Sequence, residues 1–320
     1  MNVPLLYRLR SANGEFVSMA EFNDSVQSDL EDLERRGFAL ERHPYLGVAY
    51  RGPSPRLCPD QIEWQLETQH IGRRVAVWNR VGSTNDLAAS AAASSANDGL
   101  VVLAEEQTSG RGRRGRTWVA PPGSSLLMSI LVFPEPPIAG LAWITALGAV
   151  ATAQVVAELS GLAARIKWPN DVRVDGRKIA GILVERGLGT VIGVGLNVGV
   201  DRLSLPDSLR DSATSLKILT GEDYDRSEVA RLLIRRLDRL YMQGRDEGPG
   251  PLGLLWSDLL EPLGRTIRVT TRSGEIQGHL VEADLDQGLR VALPSGDVLW
   301  VPHVDVLSLD GEPMAGRPTD

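Results

Sequence analysis

The stretch EEQTSGRGRRGRTW, residues Glu105 to Trp118, sets four arginines (Arg111, Arg113, Arg114 and Arg116) among three glycines (Gly110, Gly112 and Gly115). Apolar, strand-like runs flank it, Leu100–Leu103 before and Leu126–Val132 after. A loop so basic and so free of side-chain bulk brings backbone N–H groups and guanidinium forks close to an anion. Taken alone, the stretch fits a solvated arginine loop or a nucleic-acid tether as well as an anion site. The arginines form a single cluster between two strands and not a repeated tract, which sets the tether aside.

The composition narrows the choice. The chain has 320 residues and a net charge of −7, so any cationic function is local and a general nucleic-acid binder is excluded. Only three of the 34 basic residues are lysines, and two of these, Lys167 and Lys178, share one short segment. The one cysteine, Cys58, rules out an internal disulfide framework or a cysteine-based zinc cluster and suits a reducing compartment. The start, MNVPLLYRLRSANGEF, carries no apolar signal-like core, and no unbroken apolar run reaches the roughly 18 residues of a membrane span. The expectation is a cytoplasmic protein of two or three domains.

Working outward, residues 1–60 read as two helices (Pro4–Leu9 and a segment with Val26, Leu30 and Leu33) and a hairpin over Phe38–Tyr50, the outline of a winged helix. A proline-rich linker, RGPSPRLCPD, follows. Residues 61–260 alternate strands and helices: a strand at Val75–Trp78, an alanine-rich helix over Asn85–Ala96, a long apolar helix over Leu141–Leu159 and short strands between Arg165 and Asn197. Helices at Ser227–Met242 and Pro251–Leu260 complete this unit. Residues 261–310 give four or five short strands between SG, DQG and SGD turns, a small antiparallel barrel, and 311–320 read as a tail.

Two further segments share the chemistry of the basic loop. Gly82-Ser83-Thr84-Asn85-Asp86 stands at a strand-to-helix junction, where helix capping is its simplest role. Lys167-Trp168-Pro169-Asn170-Asp171 leads into Gly176-Arg177-Lys178-Ile179-Ala180-Gly181-Ile182-Leu183-Val184-Glu185. The strand Gly193-Val194-Gly195-Leu196-Asn197 either lets a flat ligand lie on its backbone or packs tightly in the core.

Together, and in this order, these segments resemble the biotin protein ligases, and the likeness extends through Leu209–Leu216 and over nearly all of 75–309. The resemblance implies an α+β fold: a catalytic core like that of biotin ligases and class II aminoacyl-tRNA synthetases, an N-terminal winged-helix-like domain and a C-terminal SH3-like small β-barrel. It implies activation of biotin by ATP to biotinyl-5'-AMP, with Mg²⁺, and transfer to a lysine of a biotin carboxyl carrier domain. Biotin contacts would come from Ser83, Thr84, Asn85, Gln107, Gly110, Arg111, Gly112, Arg113, Lys167, Gly193 and Gly195. ATP contacts would come from Arg113, Arg116, Trp118, Lys178 and Asn197, and catalysis from Lys167, Arg111, Arg113 and Asp171. The Mg²⁺ ligands are not named by the sequence. Asp171, the orienter or base for the transfer step, is equally a turn residue beside Pro169-Asn170. Arg114 is left to solvent, and the loop over 110–118 is expected to be mobile until ligand binds.

The rival readings are a lipoate or octanoate ligase on the same fold and a biotin-responsive DNA-binding repressor. Against the second, residues 1–60 hold seven Arg and nine Asp and Glu, a balance of 7 − 9 = −2, and the helix near Val26–Arg36 carries Asp29, Glu31, Asp32 and Glu34. Acidic side chains repel phosphates. A homodimer is compatible with the family layout, and no membrane role is implied.

Overall fold

The computed structural model describes residues 1–22, 25–261, 263–285, 287–303 and 305–313. The chain opens with α1 (Val3–Ser11), whose N-cap Asn2 accepts the Leu5 N–H. α2 (Val26–Arg35) buries Val26, Leu30 and Leu33 against Leu6 and Leu9. Between α1 and α2 the described residues form a turn, a bridge of Val17 to Val48 and a 3-10 turn, Met19–Glu21. Strands β1 (Ala39–His43) and β2 (Gly47–Gly52) make the expected hairpin. Gly47 has φ +102°, and a β-carbon there would lie 2.0 Å from the Val17 carbonyl oxygen, so only glycine lets the hairpin close on residue 17.

The proline-rich passage is not a loose linker. Leu57 donates its N–H to Glu105 Oε1 (2.5 Å), and the buried Cys58 donates to Ser227 Oγ (2.9 Å). It runs into a short helix that sequence patterning missed, α3 (Pro59–Glu63), with Pro59 in the first turn where its missing N–H costs nothing.

The central unit contains β3 (Arg74–Val81), α4 (Thr84–Ala91), β4 (Leu100–Gln107), β5 (Ser125–Val132) and α5 (Leu141–Ser160). Strands β6 (Ala164–Lys167), β7 (Asp171–Val174), β8 (Arg177–Arg186) and β9 (Thr190–Asn197) follow, then α6 (Leu216–Thr220), α7 (Arg226–Glu247) and α8 (Gly250–Leu259). The sheet order is β3-β4-β5-β9-β8-β7-β6, and only β3 and β4 run parallel. Asp175 and Gly176 both take positive φ (49° and 73°) in the two-residue turn joining β7 to β8. α4 is shorter than the alanine run suggests. Asn97 donates to the Ala91 carbonyl (2.8 Å), and Ser94 caps the 3-10 turn Ser95–Asn97, so polar side chains compete with the helix ladder and end it.

α5 lies on the opposite face of the sheet from α4, together with α7 and α8. It is long and apolar enough to cross a membrane, unlike any run expected from the sequence, but most of it is buried in this core. Gly148 brings it close to the sheet, since a β-carbon there would meet Ile182 Cγ2 at 2.8 Å.

α1 is bound to α7 by polar groups. Tyr7 donates to Glu228 (2.5 Å), Arg10 pairs with Asp225 (3.3 Å), and Gln61 donates to both carboxylates (2.7 Å each). Burial, then the hydrogen bond to Glu228, pushes the Tyr7 phenol well above its ordinary range.

The last unit is an antiparallel half-barrel of β10 (Leu263–Thr271), β11 (Gly274–Asp284), β12 (Gly288–Ala292), β13 (Val298–Val301) and β14 (Val306–Pro313), in the order β13-β12-β11-β10-β14. Its buried Ile267, Val269, Leu289 and Val291 join the main core. β14 runs to Pro313, past the expected limit at 310, and the remainder of the expected tail, 314–320, lies outside the described residues.

Candidate active site

A cavity of about 440 Å³ is lined by residues from the start of α4, the basic loop, the β6–β7 turn, β8, β9 and the half-barrel. All the residues expected to bind or react line it except Gly110.

One wall is a hydrogen-bonded chain. Ser83 caps α4 by accepting the Asn85 N–H (3.3 Å). Thr84 donates its backbone N–H (2.7 Å) and its hydroxyl (2.9 Å) to Gln107 Oε1. The buried Ser129 hydroxyl lies 2.7 Å from Thr84 Oγ1 and 2.6 Å from Asn85 Oδ1, with one proton to share between them. Ser129 was not singled out from sequence. The signal was present: a polar residue inside the apolar run Leu126–Val132 must find a partner when buried.

Asn85 has little left for a ligand. Its amide donates to Glu185 Oε2 (2.6 Å), and a β-carbon on Gly193 would stand 2.3 Å from its Oδ1. On Gly195 a β-carbon would meet the Trp118 ring at 2.5 Å. Both glycines of β9 therefore make room for side chains of this chain, which favours the packing reading of that strand. The Asn197 amide donates to the Thr214 carbonyl (3.0 Å).

The basic loop folds into a closed hairpin. Gly112 donates to the Arg116 carbonyl (2.7 Å), and Trp118 donates to the Gly110 carbonyl (3.0 Å). Arg111 and Thr117 bridge, and Arg114 takes φ +59° in the turn. Gly110 closes the neck of the loop, where a β-carbon would sit 2.6 Å from the Trp118 carbonyl oxygen. The loop is anchored at Arg111 and at Trp118.

Arg111 is gripped by two carboxylates. It pairs with both oxygens of Asp86 (2.9 and 2.7 Å) and with Glu185 Oε2 (3.1 Å). Hydrogen bonding to Asp86 raises the guanidinium pKa, and the same bond holds the Asp86 carboxyl below its ordinary value. Arg113 is held by one long contact, 3.4 Å to Asn170 Oδ1, and burial, then the Arg114 charge, lowers its pKa. Arg114 and Arg116 are exposed residues of the cavity lining.

Across the cavity, Lys167 ends β6 and pairs in register with Asp171 of β7. Asp171 accepts a 2.7 Å ion pair from Lys178, whose Nζ also lies 5.4 Å from the Trp118 ring centroid. The backbone of Lys178 bonds Ser212 and Thr214 (2.8 Å each), which brings the run Leu209–Leu216 to the cavity. The Trp118 Nε1 is buried without a hydrogen-bond partner among the described residues. Leu307 and Leu309 of β14 also line the cavity, and nothing local in sequence marks them for it. Among the described residues no group of three His, Cys, Asp or Glu side chains forms a metal site.

A mixed sheet carrying a polar wall, a lysine at a strand end and a cationic loop thus surrounds one cavity. Residues 77–201 match the model of the biotin/lipoate A/B protein ligase family. The bifunctional ligase/repressor BirA of Bacillus subtilis is 30% identical over 298 residues, covering 89% of this chain and 91% of its own length. The biotin (acetyl-CoA-carboxylase) ligase of Mycobacterium tuberculosis is 35% identical over 253 residues, covering 75% of this chain and 92% of its own. In fold, the chain is similar to the biotin protein ligase from Aquifex aeolicus in complex with biotin and ATP, with a TM-score of 0.67, 24% identity and coverage of 75% of this chain and 100% of that one. The chain belongs to the biotin protein ligases of the biotin/lipoate A/B protein ligase family.

Proposed function

We propose that the chain activates biotin with ATP to biotinyl-5'-AMP and transfers the biotinyl group to a lysine of a biotin carboxyl carrier domain. The observation that carries this reading is the convergence of Thr84 and Gln107, Lys167, and the arginines of the 111–116 loop on one cavity. In the first step a biotin carboxylate oxygen bonds to the α-phosphorus as the bond to pyrophosphate breaks. Two anions must meet, and fixed positive charge lowers their repulsion and stabilises the departing pyrophosphate. Lys167 takes the place between carboxylate and α-phosphate, Arg113 and Arg116 take the phosphates, and Ser83, Thr84 and Gln107 take the ureido ring. Arg111, neutralised by Asp86 and Glu185, serves as the loop's anchor more than as an anion contact.

Trp118 supplies a face for adenine, with Lys178 and Asn197 on the nucleotide side. In the second step the acceptor amine attacks the acyl carbon, AMP leaves, and the amine loses a proton. Asp171, its carboxylate held by Lys178, orients or accepts there. Asp171, the one carboxylate among the described residues of the cavity lining, would hold Mg²⁺ together with phosphate oxygens and waters, and the ion would offset the negative charge of the triphosphate.

The N-terminal unit fits a winged-helix-like domain kept for structure. α1 is spent on contacts to α7, and α2 directs Asp32 and Glu34 to Arg36 and Arg42. The proposed boundaries follow the sequence divisions: 1–60, a catalytic domain over 61–260 related to class II synthetases, and an SH3-like barrel from 261. A homodimer and a cytoplasmic setting complete the reading. Biotin-dependent exchange of label between pyrophosphate and ATP tests it, with lipoate as the comparison. Exchange with lipoate and none with biotin would replace it with the lipoate ligase reading.

A further inference from the structure

We infer that His303, in the half-barrel, is a positioning residue for Lys167 and acts through the ring of Trp168. The side chain next to Lys167 does not enter solvent: Trp168 is buried, and its ring stacks on His303 with centroids 5.8 Å apart and planes 12° from parallel. His303 also meets the edge of Trp256 on α8, at 6.3 Å and 73°, and its Nε2 lies 2.5 Å from the Asp284 carbonyl oxygen at the end of β11. The imidazole is thus set between two indoles and a strand end, and one of those indoles is the residue that follows Lys167.

The backbone beneath has the same tie. Glu261, where the chain leaves α8 for the barrel, donates its N–H to the Ile166 carbonyl (2.9 Å), and Arg165 donates to the Asp258 carbonyl (2.7 Å). β6 is the outermost strand of its sheet and only four residues long, so its pairing with β7 alone holds it weakly. A stacked aromatic pair adds to what area burial contributes, and it fixes direction, which hydrophobic burial does not. A lysine that must bridge two anions needs its stem aimed, and an error of about 1 Å costs up to roughly 100-fold in rate. The barrel, far from Lys167 in sequence, is therefore part of the device that aims it.

This rests on the adenylation reading of Lys167, and the test separates the two. Full-length wild type, His303→Ala, His303→Phe and His303→Leu are compared by biotin-dependent ATP–pyrophosphate exchange and by amide hydrogen exchange over residues 164–172. The expected result is a kcat about 10- to 100-fold lower in His303→Ala with little change in KM for biotin. His303→Phe, which keeps a ring face, restores most of it, and His303→Leu, which fills space without one, does not. Amide exchange over 164–172 rises in Ala and Leu and stays at the wild-type level in Phe. Wild-type kcat in His303→Ala, or equal values for Leu and Phe, would overturn the inference. Should Ala fail to fold, the Leu and Phe comparison decides by the same criterion. A wild type inactive with biotin would sink the adenylation reading instead, and amide exchange would still judge the stack.

Discussion

The indole of Trp118 rests on Gly195, so closely that a β-carbon built on the glycine would lie 2.5 Å from the ring. Gly181 stands beside it, with a β-carbon position 3.2 Å from the same ring. Trp118 is thereby seated on two strands of the sheet, β8 and β9, and the basic loop is fixed at its C-terminal end.

Gly195→Ala should unseat that ring. Overpacking of this kind costs about 1–3 kcal/mol, and here the cost falls on the seated loop more than on the fold. The expected outcome is a KM for ATP raised roughly tenfold with a nearly unchanged melting temperature, measured by steady-state exchange and thermal unfolding.

The other anchor is Arg111 on Asp86 and Glu185. Asp86→Asn should loosen the loop and speed trypsin cleavage after Arg113 and Arg114 several-fold, while biotin with ATP slows cleavage in both proteins. The pH dependence has a definite sign. Asp86 is held below its ordinary 3.8 by Arg111, so its contribution is complete above 3.8 and is lost as pH falls through the lower, folded value. The difference in loop protection between wild type and Asp86→Asn should therefore be constant near neutral pH and vanish only below about 3.8.

Lys167→Gln should lower kcat for biotin-dependent pyrophosphate exchange by about 100-fold or more, since loss of one preorganised transition-state donor costs about that much. KM for biotin should change less. A raised KM for biotin with kcat unchanged would place Lys167 in ground-state binding only.

Arg226 joins the N-terminal passage to the strands that flank the loop. Buried, it bonds the Pro55 carbonyl (2.5 Å), Glu105 Oε2 (2.6 Å) and the Ser125 carbonyl (3.4 Å). Arg226→Ala leaves Glu105 without its charge partner and should destabilise the protein by about 3–5 kcal/mol, measured by urea unfolding. Removing both charges, with Glu105→Gln as well, should recover part of that loss.

Much of this was legible in the sequence, for local reasons. Alternating or helical apolar spacing gave most elements to within a few residues, and the Asp175-Gly176 turn fixed the β7–β8 hairpin. Motif order marked the cavity residues, because segments such as Lys167–Asp171 carry their chemistry in adjacent positions. What was not legible depends on side chains meeting across the fold. That Arg111 is neutralised requires Asp86 and Glu185 to converge, and that Gly193 serves Asn85 requires α4 to lie on β9. The Trp168–His303 stack joins residues 135 positions apart, and no periodicity reports such a contact. The end of α4 at Ala91 was missed because the alanine run continues in sequence while Ser94 and Asn97 redirect the backbone.

Incubating the purified chain with biotin, ATP, Mg²⁺ and a biotin carboxyl carrier domain, and then measuring the intact mass of that domain, tests biotinyl transfer itself. The domain should gain the mass of a single biotinyl group, dependent on ATP and abolished when the acceptor lysine is replaced. An unmodified carrier domain after incubation with folded enzyme, or one modified by lipoate in preference to biotin, would contradict it.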